Sequence, residues 1–364
     1  MRSSTATEGV AGRSLTRPTF VAGVRLAILA ATHALWAVSI PWTASAADDV
    51  DAAVAKANLY IELAKGTERA VDSWERYKSW VNLKTGPTGK ERYISYGMYP
   101  VYDIAGMLEA VAAAANDPPA TPELDAVLKR YISAYNAVAP VLNEACAYYD
   151  AEGYRQDGMA AGKAFHARMV PLATTFMAER DVMMKHLAAF VFEVEGQELA
   201  AIEAADGRTL AWHAANVMHF ARGVVDVIPR IRPEPIDPET MDEMMRSIGP
   251  ETSGEKFEEI MAGVKTPTGI TIDLKRYDTA MKTYTEAVAT FDAFAAENAA
   301  DIEDLKDAPG RLLESLKALR DELQKYEGGD MAAAGPFVGQ VAMQYFELMN
   351  EANPLARSRL RTLQ

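Results

Sequence analysis

The chain has 364 residues, 37 basic against 51 acidic side chains, a formal net charge of −14 and a single cysteine. This acidic surplus argues against nucleic-acid binding, which draws its affinity from neutralising phosphates, and against anchoring on anionic lipid. Cys146 alone can form no internal disulfide, paired-cysteine haem attachment or cysteine-based zinc site, so folding must rest on buried apolar surface.

Arg2, Arg13, Arg17 and Arg25 lead into an apolar run from about Leu26 to Ile40, followed by Ala44-Ser45-Ala46 and then Asp48-Asp49. This order predicts a Sec-type signal peptide over residues 1–46, cleaved near Ala46. The apolar run is roughly 15 residues long, short of the ~20 that cross a bilayer. No cysteine follows it to take a lipid. Removing four arginines and one glutamate leaves an expected mature chain of net charge −17, periplasmic or secreted and without a membrane span.

The rest reads as helix. Val54, Ala57, Ile61, Ala64, Val71, Trp74 and Val81 step mostly by threes and fours, predicting one amphipathic helix over Asp48–Lys84. The KTGPTG run at 84–89 ends it. A shorter helix is expected over 101–115, closed by Asn116-Asp117-Pro118-Pro119. Thr121-Pro122 opens the next in the N-cap and N1 manner, running to Asp150 with a kink at Pro140. From Asp157, the series Phe165, Met169, Leu172, Phe176, Met183, Leu187, Phe190 and Val194 predicts a second long helix bent near Pro171. Another covers 208–228.

Composition shifts at residues 229–271, where six prolines and four glycines mark a segment boundary. Leu274, Tyr277, Met281, Tyr284, Val288 and Phe291 resume the helical step until Pro309-Gly310 breaks it. Leu312, Leu316, Leu319, Leu323 and Tyr326 repeat it, and a last helix covers about 336–352. Only Gly269-Ile270-Thr271-Ile272 resembles a strand. The expected fold is an all-α antiparallel bundle of long amphipathic helices. Its expected parts are an N-terminal bundle (47–228), a Pro/Gly-rich linker with short helices (229–271) and C-terminal helices packing on the bundle (272–364). KTPTG at 265–269 echoes KTGPTG, as two similar turns would.

One stretch exceeds what a helical hairpin needs: YYDAEGYRQDGMAAGKAFH, residues 148–166. Asp157 can accept hydrogen bonds from free amides at a helix start. Gly158 and Gly162 would let a neighbouring helix approach. Tyr148, Tyr149 and Tyr154 would bury rings whose hydroxyls need partners, and His166 could supply one. The structural reading is a cap and a packed corner. The functional reading makes Tyr148, Tyr149, Tyr154, Asp157, Lys163 and His166 the lining of a small pocket.

This pattern resembles the signature of the YiiG-type family of proposed bacterial lipoproteins, whose function is unassigned. In similar proteins a tyrosine pair, a third tyrosine, an aspartate, Gly-Lys and a histidine follow one another. Here these are Tyr148, Tyr149, Tyr154, Asp157, Gly162, Lys163 and His166. The Asn58-x-Tyr60-Ile61 start of the first helix is also similar. Relatives often carry a second acidic residue after the aspartate, where this chain has Gly158, so a carboxylate pair is disfavoured. The resemblance implies a helical envelope protein and carries no catalytic assignment.

Other chemistry finds little footing. His213 and His219 stand six apart, not at the four-residue spacing of a helical zinc motif, and His166 and His186 are isolated. There is no Gly-x-His-x-x-Glu run of the imelysin-like kind. Seventeen methionines, among them Met241, Met244 and Met245, fit gap-filling better than copper. GPTGKE at 86–91 has two residues, not four, between its glycines, and Glu91 stands where a phosphate loop needs Ser or Thr; it reads as a solvated turn. Glu193, Glu195, Glu198 and Glu203 read as a solvated helix face. Arg357, Arg359 and Arg361 read as a frayed, solvated segment. Arg230 and Arg232 offer a secondary surface. The expectation is therefore a non-enzymatic binding or interaction module without metal or cofactor, whose partner is an envelope component or a small ligand. The alternatives are an envelope-polymer hydrolase using Asp157 and His166, or a periplasmic metal-binding protein.

Overall fold

A computed structural model describes residues 44–229, 271–298, 302, 305–328, 334–356 and 359–360. Residues 1–43 of the expected signal peptide, Arg230 and Arg232, the methionine cluster at 241–245 and the KTPTG turn lie outside them; Ala44, Ser45 and Ala46 begin the first helix. Among the described residues the fold is all-α, with no strand; Ile272 is coil whose amide donates to the Gly328 carbonyl at 3.0 Å. No described helix is long and apolar enough to cross a membrane.

The first helix is shorter than its periodicity suggests. α1 spans Ala44–Gly66 and α2 spans Glu68–Lys78. Thr67 divides them because its hydroxyl donates to the Leu63 and Ala64 carbonyls, at 2.9 and 3.0 Å, competing with the helix for those acceptors. Arg180, itself buried, reaches in from the opposite side to the Ala64 carbonyl and to the Tyr131 and Thr67 hydroxyls. The expected burial still holds. Val54, Ala57, Ile61, Ala64, Val71, Trp74 and Val81 are all in the core. After Lys78 the chain leaves the helix so that Trp80 can bury its ring and donate Nε1–H to the Gly97 carbonyl at 2.9 Å.

Residues 79–104 then wrap the end of α2 with only the short 3-10 turn Ile94–Tyr96. Side chains hold this excursion down. Ser73 donates to the Tyr99 carbonyl, Arg76 to the Tyr96 carbonyl, and Asn143 pairs both ways with the Val101 backbone. α3 covers Ala105–Ala114 and α4 covers Pro122–Asp150, continuing through Pro140. Thr121 stands at the cap position, but its hydroxyl donates to Asp125 at 2.9 Å instead of capping the helix. Asp125 also accepts from Tyr60 at 2.9 Å, and buried Lys56 ties the turn before α4 to α1 through the Asp117 and Pro119 carbonyls.

A single turn, α5 (Tyr154–Asp157), leads into α6 (Ala160–Asp206), whose 47 residues run through Pro171 for about 70 Å. α6 lies along α4 and receives α1 on another side. Met169, Phe176, Met183, Leu187, Phe190 and Val194 enter the core as expected; Phe165 and Leu172 pack at its edge. α7 (Leu210–Val225) packs on α8 (Leu274–Glu297) and α10 (Gly335–Ala356), and α9 (Ala308–Lys325) packs on α10. Pro309-Gly310 does not merely end a helix: both residues lie in the first turn of α9, where proline loses no hydrogen bond. Tyr326 falls after that helix and is exposed, contrary to its place in the leucine series.

Two cores result. The first holds Tyr60, Tyr77, Trp80, Tyr131, Leu142, Phe176 and Leu187 from α1 to α6. The second holds Val217, Tyr277, Tyr284, Phe291, Leu312, Leu319 and Leu348 from α7 to α10.

Candidate functional site

The Tyr148–His166 stretch forms the corner between α4 and α6. Three consecutive problems of backbone geometry are solved there. Glu152 (φ 51°), Gly158 (φ 62°) and Met159 (φ 75°) take the left-handed region, and Met159 does so while wholly buried. Gly158 serves the turn and faces open space, so it does not admit a neighbouring helix as its spacing suggested. Gly162 does make room: a Cβ there would lie 2.2 Å from the Met159 sulfur and 3.1 Å from the Tyr149 hydroxyl.

Asp157 caps α6. Its carboxylate accepts from the Met159 and Ala161 amides, each at 2.9 Å, and from the Tyr148 hydroxyl at 2.8 Å. The bond from the Ala161 amide, ahead of the others, holds its pKa below the ordinary carboxylate value. The same Tyr148 hydroxyl is pushed up to about 12, chiefly by desolvation and then by this bond. Asp157 is therefore an ionised structural anion and unsuited to donate a proton.

His166 faces a different way. Its Nδ1 lies 2.9 Å from the Tyr77 hydroxyl, and its ring packs under Gly86, where a Cβ would come within 3.0 Å of the imidazole. Gly86 has φ 73°, so the KTGPTG turn folds over the histidine with glycine where both space and backbone demand it. Burial pushes the imidazole below its ordinary value, and the Leu83 backbone opposes this weakly. Further along the turn, Glu91 accepts from the Thr88 hydroxyl at 2.7 Å and the Gly89 amide at 2.8 Å, so it braces the loop where a free solvated side chain was expected.

Tyr149 lies between these groups, its ring edge-on to Trp80 at 5.0 Å and tilted against Tyr77 at 6.2 Å. Its buried hydroxyl has no hydrogen bond of sound geometry, and burial, ahead of other causes, raises its pKa far above the usual tyrosine value. Tyr154 is half-buried at the core edge, and Lys163 is exposed. The structure thus gathers Tyr148 with Asp157, and Tyr149 with Tyr77 and His166. It leaves Lys163 and Tyr154 outside both groups. The acid of the motif has Tyr148 and backbone amides as partners, and the base has Tyr77. No proton path joins Asp157 to His166 through these contacts. Cys146, next to this corner, is buried with its sulfur 3.5 Å from the Met98 carbonyl and from Asp150, and its thiol is pushed up to about 11, first by burial. It behaves as a small apolar group.

A second set of polar residues went unread in the sequence. Glu195 and Glu198 do not belong to a solvated face. Glu195 lies 2.8 Å from Arg222 Nε and 3.5 Å from His219 Nδ1, with all three side chains largely buried. Despite these approaches, Arg222 Nε, Glu195 Oε2 and His219 Nδ1 are buried without a hydrogen bond to another protein group. His219 stacks on Phe192 at 4.0 Å, and His213 stacks on Phe294 at 4.2 Å. Glu198 is buried too, and it binds Arg359, which is anchored and not frayed. The available signal was LAWHAANVMHFARGVV, an apolar helix carrying two histidines and one arginine that had to be buried against something. A small cavity of about 20 Å³, room for a water, lies among Glu195, Glu198, Leu199, Met218 and His219. A more open cleft of about 490 Å³ lies beside Asp206, Thr209, Leu210 and Pro354. Among the described residues no group of three or more His, Cys, Asp or Glu side chains is arranged to hold a metal ion.

Fold and corner together define an all-α bundle protein whose signature residues build the joint between its two longest helices. The chain belongs to the family of proteins of unknown function DUF3829, whose model matches residues 51–319. It is similar to the uncharacterised protein YiiG of Escherichia coli (strain K12), 29% identical over 181 residues, which cover 48% of this chain and 50% of the relative. The chain thus spans about half the length of this curated relative. No solved structure matches the chain.

Proposed function

We propose that this protein is a non-enzymatic binding or interaction module of the cell envelope, exported by a signal peptide and residing in the periplasm. The signal-like order of residues 1–46 supports the address. The observation that carries the non-enzymatic reading is the employment of Asp157: its carboxylate is occupied by two backbone amides and a tyrosine hydroxyl. A hydrolase would need one carboxyl group with a raised pKa to protonate a leaving group, and the cap lowers that of Asp157. On this reading the exposed Lys163, in the first turn of α6 beside the corner, is assigned as a contact point for a partner.

The test uses the exported full chain. Cell fractionation should recover it from the periplasm with a new N-terminus near Ala47, and a photo-crosslinker in place of Lys163 should trap an envelope component. Incubation with purified envelope polymers should release no product. Product release that disappears in Asp157→Asn would overturn the reading, as would retention in the cytoplasm.

A further inference from the structure

Arg359 is held in the manner of a bound ligand. Its backbone amide and its Nε both donate to Glu198 Oε1, at 3.3 and 3.1 Å, and its Nη1 pairs with Asp51. Its carbonyl accepts from Asn58 Nδ2 at 2.9 Å, and the next residue, Leu360, packs against the first core. One residue is therefore read at its amide, its carbonyl and its guanidinium, with an apolar contact at the following position. Main-chain hydrogen bonds joined to a side-chain contact are how peptide segments are recognised. An ion pair serving only to staple two helices would need the side chain alone.

We propose that Asp51, Asn58 and Glu198 form a receptor for a peptide segment carrying arginine followed by an apolar residue. The chain's own Arg359-Leu360 fills it here, and the matching segment of a partner polypeptide displaces that filling. Three features support an exchangeable occupant. Arg359 is half-exposed while Glu198 is 7% exposed at its side chain, so the ligand leaves through solvent and the receptor stays built. A carboxylate this buried favours a cation beside it, and the reach to Asp51 and Glu198 suits guanidinium better than ammonium. The cavity behind Glu198 is also lined by His219, 8% exposed at its side chain, whose Nδ1 has no hydrogen bond. A polar atom of an incoming side chain can meet it there. This face is distinct from the Tyr148–His166 corner, and the inference stands whatever that corner binds.

Tethering gives the chain's own segment a high effective concentration, so an added peptide should bind the wild-type protein weakly. The probe is a fluorescent peptide of residues 358–363, Ser-Arg-Leu-Arg-Thr-Leu, titrated into the full chain. Arg359→Ala should bind it about 10-fold more tightly than wild type by this effect, and Arg359→Ala with Glu198→Gln should return to background. A peptide with alanine for its first arginine should not bind. Equal binding by wild type and Arg359→Ala, or binding indifferent to Glu198→Gln, overturns the proposal and leaves a purely internal anchor. Should Arg359→Ala fail to fold, hydrogen exchange answers on the wild-type chain. Excess peptide should speed exchange at the Arg359 and Leu360 amides, and unchanged exchange at saturating peptide overturns the proposal equally.

Discussion

The Tyr148–His166 corner and the seam where α6 meets α7 are both built from charged and ring-bearing side chains, yet they treat their polar atoms in opposite ways. At the corner, Asp157 has three donors, Tyr148 has Asp157, and His166 has Tyr77. Tyr149 is the one buried group there left over. At the seam, Glu195, His219 and Arg222 crowd together, and each keeps an atom without a hydrogen bond. The corner announces itself in the sequence and has its carboxylate and imidazole already partnered. The seam is inconspicuous in the sequence and leaves Glu195, His219 and Arg222 each with an atom that no protein group bonds. A residue pattern is therefore a poor guide to reactivity when a cap and a tight turn can account for it.

The sharpest way to break this contrast is at the seam. Glu195→Ala would leave the Arg222 guanidinium, 7% exposed, without its nearest anion. Removing one member of such a pair strands a buried charge and should cost about 3 kcal/mol in urea unfolding. Replacing both, Glu195→Leu with Arg222→Met, should recover most of the loss, because apolar side chains of similar volume need no desolvation offset. A single mutant as stable as wild type would mean that water already reaches the pair.

At the corner the expected penalty is smaller and purely steric. Gly162→Ala keeps a helical backbone but places a methyl 2.2 Å from the Met159 sulfur. Met159 is wholly buried and held at φ 75°, so its side chain has little room to yield. A loss of about 1–2 kcal/mol is expected from such overpacking. Gly158→Ala, where nothing lies within 4 Å, should cost only the strain of its left-handed backbone. Equal losses at the two glycines would show that packing against Met159 is not what demands Gly162.

Much of this was legible because helical spacing reports burial directly. Every residue of the Val54 to Val81 series is in the core, although the backbone breaks at Thr67. The break rests on Thr67 turning its hydroxyl back to the Leu63 and Ala64 carbonyls, which helical spacing does not report, and Arg180, over a hundred residues away, adds to it by reaching the Ala64 carbonyl and the Thr67 hydroxyl. Capping by Asp157 was readable, since an aspartate just ahead of a helix accepts from nearby amides whatever the tertiary setting. The partner of His166 was not, because Tyr77 lies 89 residues away on α2. Glu195 and Glu198 resembled a solvated face for the same reason: only the fold brings Arg222 and Arg359 onto them. Local chemistry is written locally, and charge pairing across helices is not.

The mildest test sharpens the comparison through pH. Burial lowers the pKa of His166 in the folded chain below the ordinary 6.5. The unfolded chain therefore takes up its proton first as pH falls. Stability from the neutral imidazole is complete above about pH 6.5, the unfolded value, and drains away as pH drops toward the lower folded value. His213 is shifted the same way, by burial and then by Arg208, so the wild-type curve contains both. Thermal melts of wild type and His166→Asn between pH 7.5 and 5 isolate the corner: the variant should lose less stability on acidification. The remaining slope should shrink further when His213 is replaced as well. If His166→Asn leaves the slope unchanged, the KTGPTG turn opens readily enough for the imidazole to protonate in water, and the corner is looser than its packing under Gly86 implies.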